Sequence, residues 1–202
     1  SAVLVLRGEG LSGELPDTDP QRTGVKPKPL QAHSDAAQKT VRIVDTFLKH
    51  VRETLADENP ADMVLLRGFE QYHPLPSLRD RFQLNGICLA DYPMYRGVSR
   101  LLGMTVPPSP GGMEKRFQAL ADCYGEDYDF YFLHVKKTDS YGEDADFDQK
   151  VELIEAVDKL LPQVTALNPD VLVVTADHST PATMGVHSWH PVPVMLAAAN
   201  AK

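Results

Sequence analysis

The sequence predicts an α/β fold with a mostly parallel sheet flanked by helices. Residues 130–135 and 171–174 are β-branched or aromatic runs of strand length. Between them, residues 147–161 carry apolar side chains at helical spacing and charged side chains elsewhere. A strand, helix and strand in this order form a right-handed crossover. We therefore expect the two strands to be parallel, with their carboxyl ends at one edge of the sheet.

The first part of the chain predicts a separate, smaller layer. Residues 1–6 read as a strand and residues 8–29 as a long irregular loop rich in glycine, proline and aspartate. Ser34 and Asp35 are residue types that begin a helix, which we expect to run to about Ala56. Residues 62–67 read as another strand. From about Arg81 the chain changes character, because a buried strand at 86–90 and a short helix at 95–102 follow.

Metal-ligand side chains follow both strands of the predicted crossover. Asp177 and His178 come directly after the second strand, and His187 and His190 lie on the next loop. Asp139 and Glu143 follow the first strand. Ligand sites of open α/β sheets lie at this edge, and carboxylate with imidazole suits Zn, Mn or Fe. The alternative is that Asp177 caps the next segment and the histidines are ordinary surface or core residues.

Composition and charge exclude some classes of partner. The chain has 202 residues and a formal net charge of −8, with no basic stripe, which argues against nucleic-acid binding. Two cysteines provide no disulfide framework, so a reducing compartment is expected. No apolar run approaches the roughly 20 residues that span a bilayer. We expect a cytoplasmic protein without a membrane partner.

These motifs together resemble a known family. Asp139, Glu143, the Asp177-His178 pair, and His187 followed by Pro191-Val192-Pro193 are similar to the metal-binding half of the alkaline phosphatase superfamily. More narrowly, the chain resembles the archaeal-type, 2,3-bisphosphoglycerate-independent phosphoglycerate mutases. Other segments that resemble this family occur in the same order, at residues 3–8, 17–20, 64–68 and 95–104.

The resemblance implies an alkaline-phosphatase-like domain at residues 83–202 and a smaller α+β substrate-binding cap domain at residues 1–82, both incomplete. It implies two divalent ions, one held by Asp139, His187 and Glu143, the other by Asp177 and His178. The spacing to Pro-Val-Pro favours His187 over His190. Glu143 stands where the family has His, so it either binds the ion itself or contacts a residue that does. A carboxylate there favours Mn or Mg over Zn.

The resemblance also implies a phosphoglycerate substrate. Its phosphate and carboxylate suit guanidinium groups, for which Arg7, Arg67 and Arg96 are the candidates. Asp17 and Asp19 would accept hydrogen bonds from the glycerate hydroxyls, although the residues alone equally fit a solvated turn.

The implied reaction interconverts 3-phosphoglycerate and 2-phosphoglycerate through a phosphoenzyme, without 2,3-bisphosphoglycerate as cofactor. The family's nucleophilic Ser or Thr precedes the first matching segment, so we expect this chain to be a fragment that is inactive alone. Two alternatives remain: another metal-dependent phosphate-ester hydrolase or phosphopentomutase of the superfamily, and a non-catalytic metal-binding domain.

Overall fold

The computed structural model describes residues 2–199, which form two compact units divided between His73 and Pro74. No helix within this range is long and apolar enough to cross a membrane. The second unit alone contains both strands and helices, so the predicted α/β class is confirmed in its mixed composition. The arrangement of its strands differs from the prediction.

The first unit is built around one helix. A short 3-10 turn, Asp35–Ala37, leads into α1, Gln38–Thr54, whose buried residues Thr40, Val44 and Leu48 recur every four positions. Ser34 does not cap the helix through its side chain; its hydroxyl donates to Glu14 instead. The remaining described residues of this unit form no regular strand.

The strand predictions for residues 1–6 and 62–67 are therefore wrong, Ser1 itself lying outside the described range. Val3 is 88% exposed, and such a run has no ladder partner to stabilise it. Leu66 does find partners, but its main-chain N–H donates to the Thr18 hydroxyl and its carbonyl accepts from the Thr18 N–H, at 2.8 Å each. The hydroxyl and the main-chain N–H of Thr18 thus provide the two hydrogen bonds that a neighbouring strand would have provided to Leu66.

The second unit begins with α2, Leu78–Phe82, which has a complete capping box at Ser77 and Asp80. Strand β1, Gly86–Leu89, pairs in parallel with β2, Phe130–Leu133. Between them lie α3, Pro93–Leu101, and α4, Met113–Cys123. After β2 come α5, Lys137–Glu143, and α6, Phe147–Thr165. Strands β3, Val171–Val174, and β4, Met195–Ala198, complete the described order.

Strand β1 is the centre of the core because it is buried on both faces. Ile87 and Leu89 pack with Leu120 of α4, whereas the alternate residues Cys88 and Ala90 pack with Met104. This alternation follows from the two-residue period of a strand. The free edge of β1 is bonded to Thr105 through the amide of Cys88 and the carbonyl of Gly86.

The predicted crossover is wrong in its strand pairing. β2 pairs with β1, and β3 pairs with β4 in an antiparallel hairpin-like register, Val171 opposite Ala198 and Val174 opposite Met195. Val171 and Val173 are more than half exposed, so β3 is not the strand buried on both faces that its sequence suggests. A short apolar run indicates a strand but does not determine its neighbour or its direction.

Candidate metal centre

Asp139 lies in the first turn of α5, the helix that follows β2. The carboxylate is 16% exposed and forms an ion pair with Lys136 through Oδ2. Its other oxygen, Oδ1, accepts a hydrogen bond from the Thr180 hydroxyl at 2.5 Å. Burial acts to raise the pKa of Asp139, but the hydrogen bonds from Lys136 and Thr180 and the nearby charges prevail and lower it. The carboxylate is therefore ionised and available as a ligand.

Two histidines reach the same carboxylate from a turn. Ser188 donates its N–H to the Ser179 carbonyl at 2.9 Å, which closes the loop between them and brings His178 and His187 together. Their rings are in contact, with the centroids 4.0 Å apart and the ring planes tilted by 35°. His187 Nε2 lies 3.5 Å from Asp139 Oδ1, and His178 Nδ1 lies 3.8 Å from the same atom.

Asp139, His178 and His187 thus form the group of potential ligands in the described residues. One ligand atom from each lies within 4.8 Å of the others. Glu143, one helical turn after Asp139, places Oε1 3.3 Å from His187 Nε2. Carboxylate oxygen and imidazole nitrogen are the donor set for Mn, Fe or Zn, so the residues fit a divalent cation.

Asp177 lies beside this group and is held differently. Its side chain is 57% exposed, and its Oδ2 is 3.8 Å from His178 Nε2. Tyr95 of α3 donates its hydroxyl to the same oxygen. That hydrogen bond, with burial and the charge of Asp177, raises the pKa of Tyr95 to about 12. The Tyr95 ring also packs on His134, with the ring centroids 3.9 Å apart.

Thr180 and Tyr95 contact the candidate ligands, although sequence reasoning assigned neither of them such a role. Thr180 follows His178 by two residues, and Tyr95 directly precedes the candidate Arg96. Their closeness to these candidate residues was the one feature of the sequence that could have indicated a role at the site. Lys136 also places its ammonium 5.5 Å from the centre of the Tyr92 ring. His134 is partly buried; its ring stacks on Phe132 and lies tilted against Tyr95, and burial lowers its pKa.

The predicted substrate residues lie in both units. In the first, Asp17 Oδ1 accepts from the Gly68 N–H and Asp19 Oδ1 from the Gln21 N–H, at 2.8 Å each. Arg7 and Arg67 are exposed, and Arg67 adjoins the glycine that Asp17 contacts. In the second unit, Arg96 donates to the carbonyls of Ala90 and Pro107. Those two bonds occupy two of its five N–H donors.

Nearly the whole chain is similar to curated proteins that share one name. The chain is 44% identical over 199 residues to a probable 2,3-bisphosphoglycerate-independent phosphoglycerate mutase of Thermus thermophilus, covering 97% of this chain and 49% of the relative. A protein of the same name from Thermosipho africanus is 45% identical over 200 residues, covering 99% of this chain and 50% of the relative. The chain spans about half the length of the curated relatives it matches.

Solved structures agree in fold. A Pyrococcus horikoshii protein matches with a TM-score of 0.68 and 27% identity, over 81% of this chain and 49% of that chain. The cofactor-independent phosphoglycerate mutase from Thermoplasma acidophilum matches with a TM-score of 0.59 and 21% identity, over 96% and 51%. The resemblance inferred from the motifs is confirmed by these relatives. A family model described as Metalloenzyme superfamily matches residues 30–202, and the chain belongs to that superfamily.

Proposed function

We propose that the protein to which this chain belongs interconverts 3-phosphoglycerate and 2-phosphoglycerate through a phosphoenzyme, in glycolysis or gluconeogenesis in the cytoplasm. The observation that carries the proposal is the convergence of Asp139, His178 and His187 within ligand distance, in a chain 44% identical to a probable mutase of this kind. We place the Ser or Thr nucleophile outside these 202 residues. The full-length protein would have an alkaline-phosphatase-like sheet, with residues 83–202 in the catalytic domain and 1–82 in the cap.

In this proposal Asp139, His187 and Glu143 hold one divalent ion, and Asp177 and His178 hold the other. Bound divalent ions would neutralise charge on the phosphoryl group in transfer and lower the pKa of the attacking hydroxyl. Two carboxylates in the first set favour Mn or Mg over Zn. The tight anchoring of Asp139 supports a preformed site, because a ligand already held in place loses little freedom on binding.

Arg7, Arg67 and Arg96 would bind the phosphate and carboxylate of phosphoglycerate, with Asp17 and Asp19 accepting bonds from its hydroxyls. The Asp17–Gly68 hydrogen bond supports grouping Asp17 with Arg67, because it joins their loops. Ionised guanidinium groups bind both anionic ends bidentately. The cap would exclude water, which distinguishes transfer back to glycerate from hydrolysis.

Assay of the full-length protein tests the proposal. With 3-phosphoglycerate, we expect 2-phosphoglycerate without release of inorganic phosphate, loss of turnover in chelator, and recovery with Mn or Mg. His187→Ala should abolish turnover, whereas His190→Ala, on the same loop, should retain it. Release of inorganic phosphate would instead indicate a hydrolase, and metal binding without turnover of any phosphate ester would indicate a non-catalytic domain.

A further inference from the structure

One buried hydroxyl joins the two proposed ligand sets. Thr180 is 4% exposed, and its Oγ1 lies 2.5 Å from Asp139 Oδ1 and 3.1 Å from His178 Nδ1. In the proposed centre, Asp139 binds one ion and His178 binds the other. Burial of a polar side chain between two such groups is favourable only when its hydrogen bonds are satisfied, so the direction of each bond is constrained.

The proton count decides those directions. An ionised carboxylate, such as Asp139 in its ion pair with Lys136, can only accept hydrogen bonds. A threonine hydroxyl has one proton, which must therefore point to Asp139; a 2.5 Å separation is typical of O–H to a carboxylate. The hydroxyl oxygen is then left as the acceptor toward His178, so Nδ1 must carry a proton. Neutral His178 consequently has its free lone pair on Nε2.

The Nε2 atom is the one nearest to Asp177, 3.8 Å from Oδ2. Imidazole binds a metal through a nitrogen with a free lone pair, and its other nitrogen commonly donates to a fixed acceptor. We propose that Thr180 is a positioning residue that holds His178 in its Nδ1–H form, so that Nε2 binds metal beside Asp177. This inference rests on the proposed metal centre and adds the ligand atom and the residue that selects it.

The backbone around Thr180 holds the hydroxyl in place. Lys150 donates its ammonium to the Thr180 carbonyl at 2.6 Å. On the other side, a Cβ on Gly142 would lie 2.2 Å from that carbonyl oxygen, so α5 approaches as closely as a glycine permits. The Thr180 carbonyl is therefore held between α5 and α6. This restricts the positions that the Thr180 hydroxyl can take.

The test uses nitrogen-15 NMR of histidine-labelled, metal-free full-length protein near neutral pH. We expect His178 to be protonated at Nδ1 in the wild type and in Thr180→Ser, which retains the hydroxyl. Thr180→Val keeps the shape without the hydroxyl, and the Nε2–H form should gain population. Thr183→Val, on the same loop and exposed, is the matched control. A wild-type His178 protonated at Nε2 would overturn the inference, whether or not Thr180→Val folds.

Calorimetric titration with Mn distinguishes a failure of the Thr180 inference from a failure of the proposed metal centre. Thr180→Val should weaken binding by roughly 10- to 100-fold, the usual cost of losing a partner of a ligand. Thr180→Ser and Thr183→Val should bind as the wild type does. If Asp139→Asn and His178→Ala also bind normally, the proposed metal centre is wrong. If those two lose binding while Thr180→Val keeps it, only the role of Thr180 is wrong.

Discussion

The two carboxylates of the candidate metal centre are anchored to different degrees. Asp139 is 16% exposed and engages both oxygens, one with Lys136 and the other with the Thr180 hydroxyl. Asp177 is 57% exposed, and the side-chain bond that holds it comes from Tyr95. Since both follow a strand of similar apolar sequence, the strand alone does not account for the difference. The next element of the chain does account for it: helix α5 begins at Lys137, four residues after the end of β2, whereas in the described residues no helix lies between β3 and β4.

Removing the charge of each carboxylate in turn should give the largest difference between Asp139 and Asp177. Asp139→Asn should weaken Mn binding by more than the roughly 100-fold that marks the upper range for a mere partner of a ligand. Asp177→Asn should cost less, because an exposed, loosely held carboxylate is more readily replaced by water. Calorimetry on the full-length protein measures both, and equal losses would show that anchoring does not govern affinity here.

The next effect concerns the close approach that supports the Asp139 side. Gly142→Ala introduces a Cβ 2.2 Å from a backbone oxygen, so we expect destabilisation near the upper end of about 1–3 kcal/mol for overpacking. Gly97→Ala is the control, because a Cβ there meets nothing within 4 Å in helix α3. Alanine should stabilise that position by about 0.5–1 kcal/mol. Equal free energies of unfolding in urea for the two variants would show that Gly142 is not closely packed against Thr180.

Tyr95 donates the side-chain hydrogen bond that orients Asp177. Tyr95→Phe keeps the ring packed on His134 but removes the hydrogen bond to Asp177. The carboxylate then loses its fixed orientation, and we expect about tenfold weaker binding of one Mn ion, at the lower end for such partners. Tyr92→Phe, which preserves the ring under Lys136, should leave binding unchanged. A Tyr95→Phe variant with both affinities intact would remove Tyr95 from the site.

Asp91 is a reference for an anchored carboxylate outside the metal group. It accepts from the Gly111 and Gly112 amides and pairs with Arg116. Burial opposes ionisation, but the bonds from Ser109, the glycines and Arg116 lower its pKa below 3.8. The associated stability is therefore fully present above that value and lost as pH falls through the lowered folded-state pKa. Asp91→Asn should cost about 1 kcal/mol at neutral pH.

That difference between Asp91→Asn and the wild type should disappear in acid, because both side chains are then neutral. Unfolding in urea as a function of pH measures it. Asp158→Asn, an exposed residue of α6, serves as the control and should show no such dependence. A penalty for Asp91→Asn that persists unchanged in acid would show that shape, not charge, anchors this loop.

Prediction from sequence succeeded where local pattern determines structure. Helices α1 and α6 and strands β1 to β3 follow their apolar runs, and the ligand types of the metal group follow directly after two of those strands. Strand pairing was not accessible in the same way. Val171 to Val174 would look alike in a parallel or an antiparallel sheet, because direction depends on which distant segment pairs with it.

The contacts around the ligands were also beyond sequence. Thr180 lies 41 residues from Asp139 along the chain, and only the fold brings its hydroxyl to that carboxylate. Glu143, in contrast, could be placed near Asp139 by helical spacing once α5 is known, and its 3.3 Å approach to His187 depends on the turn closed between Ser179 and Ser188. Local spacing thus indicates ligand types, whereas their partners depend on tertiary structure.

Anomalous diffraction at the manganese edge, from crystals of the full-length protein soaked in Mn, would show whether these side chains bind metal ions. We predict two peaks, one contacting Asp139 and His187 and the other contacting Asp177 and His178 through Nε2. His187→Ala crystals should lose the first peak. Manganese bound elsewhere, or no peak at these four residues, would contradict the assignment of this cluster as a metal centre.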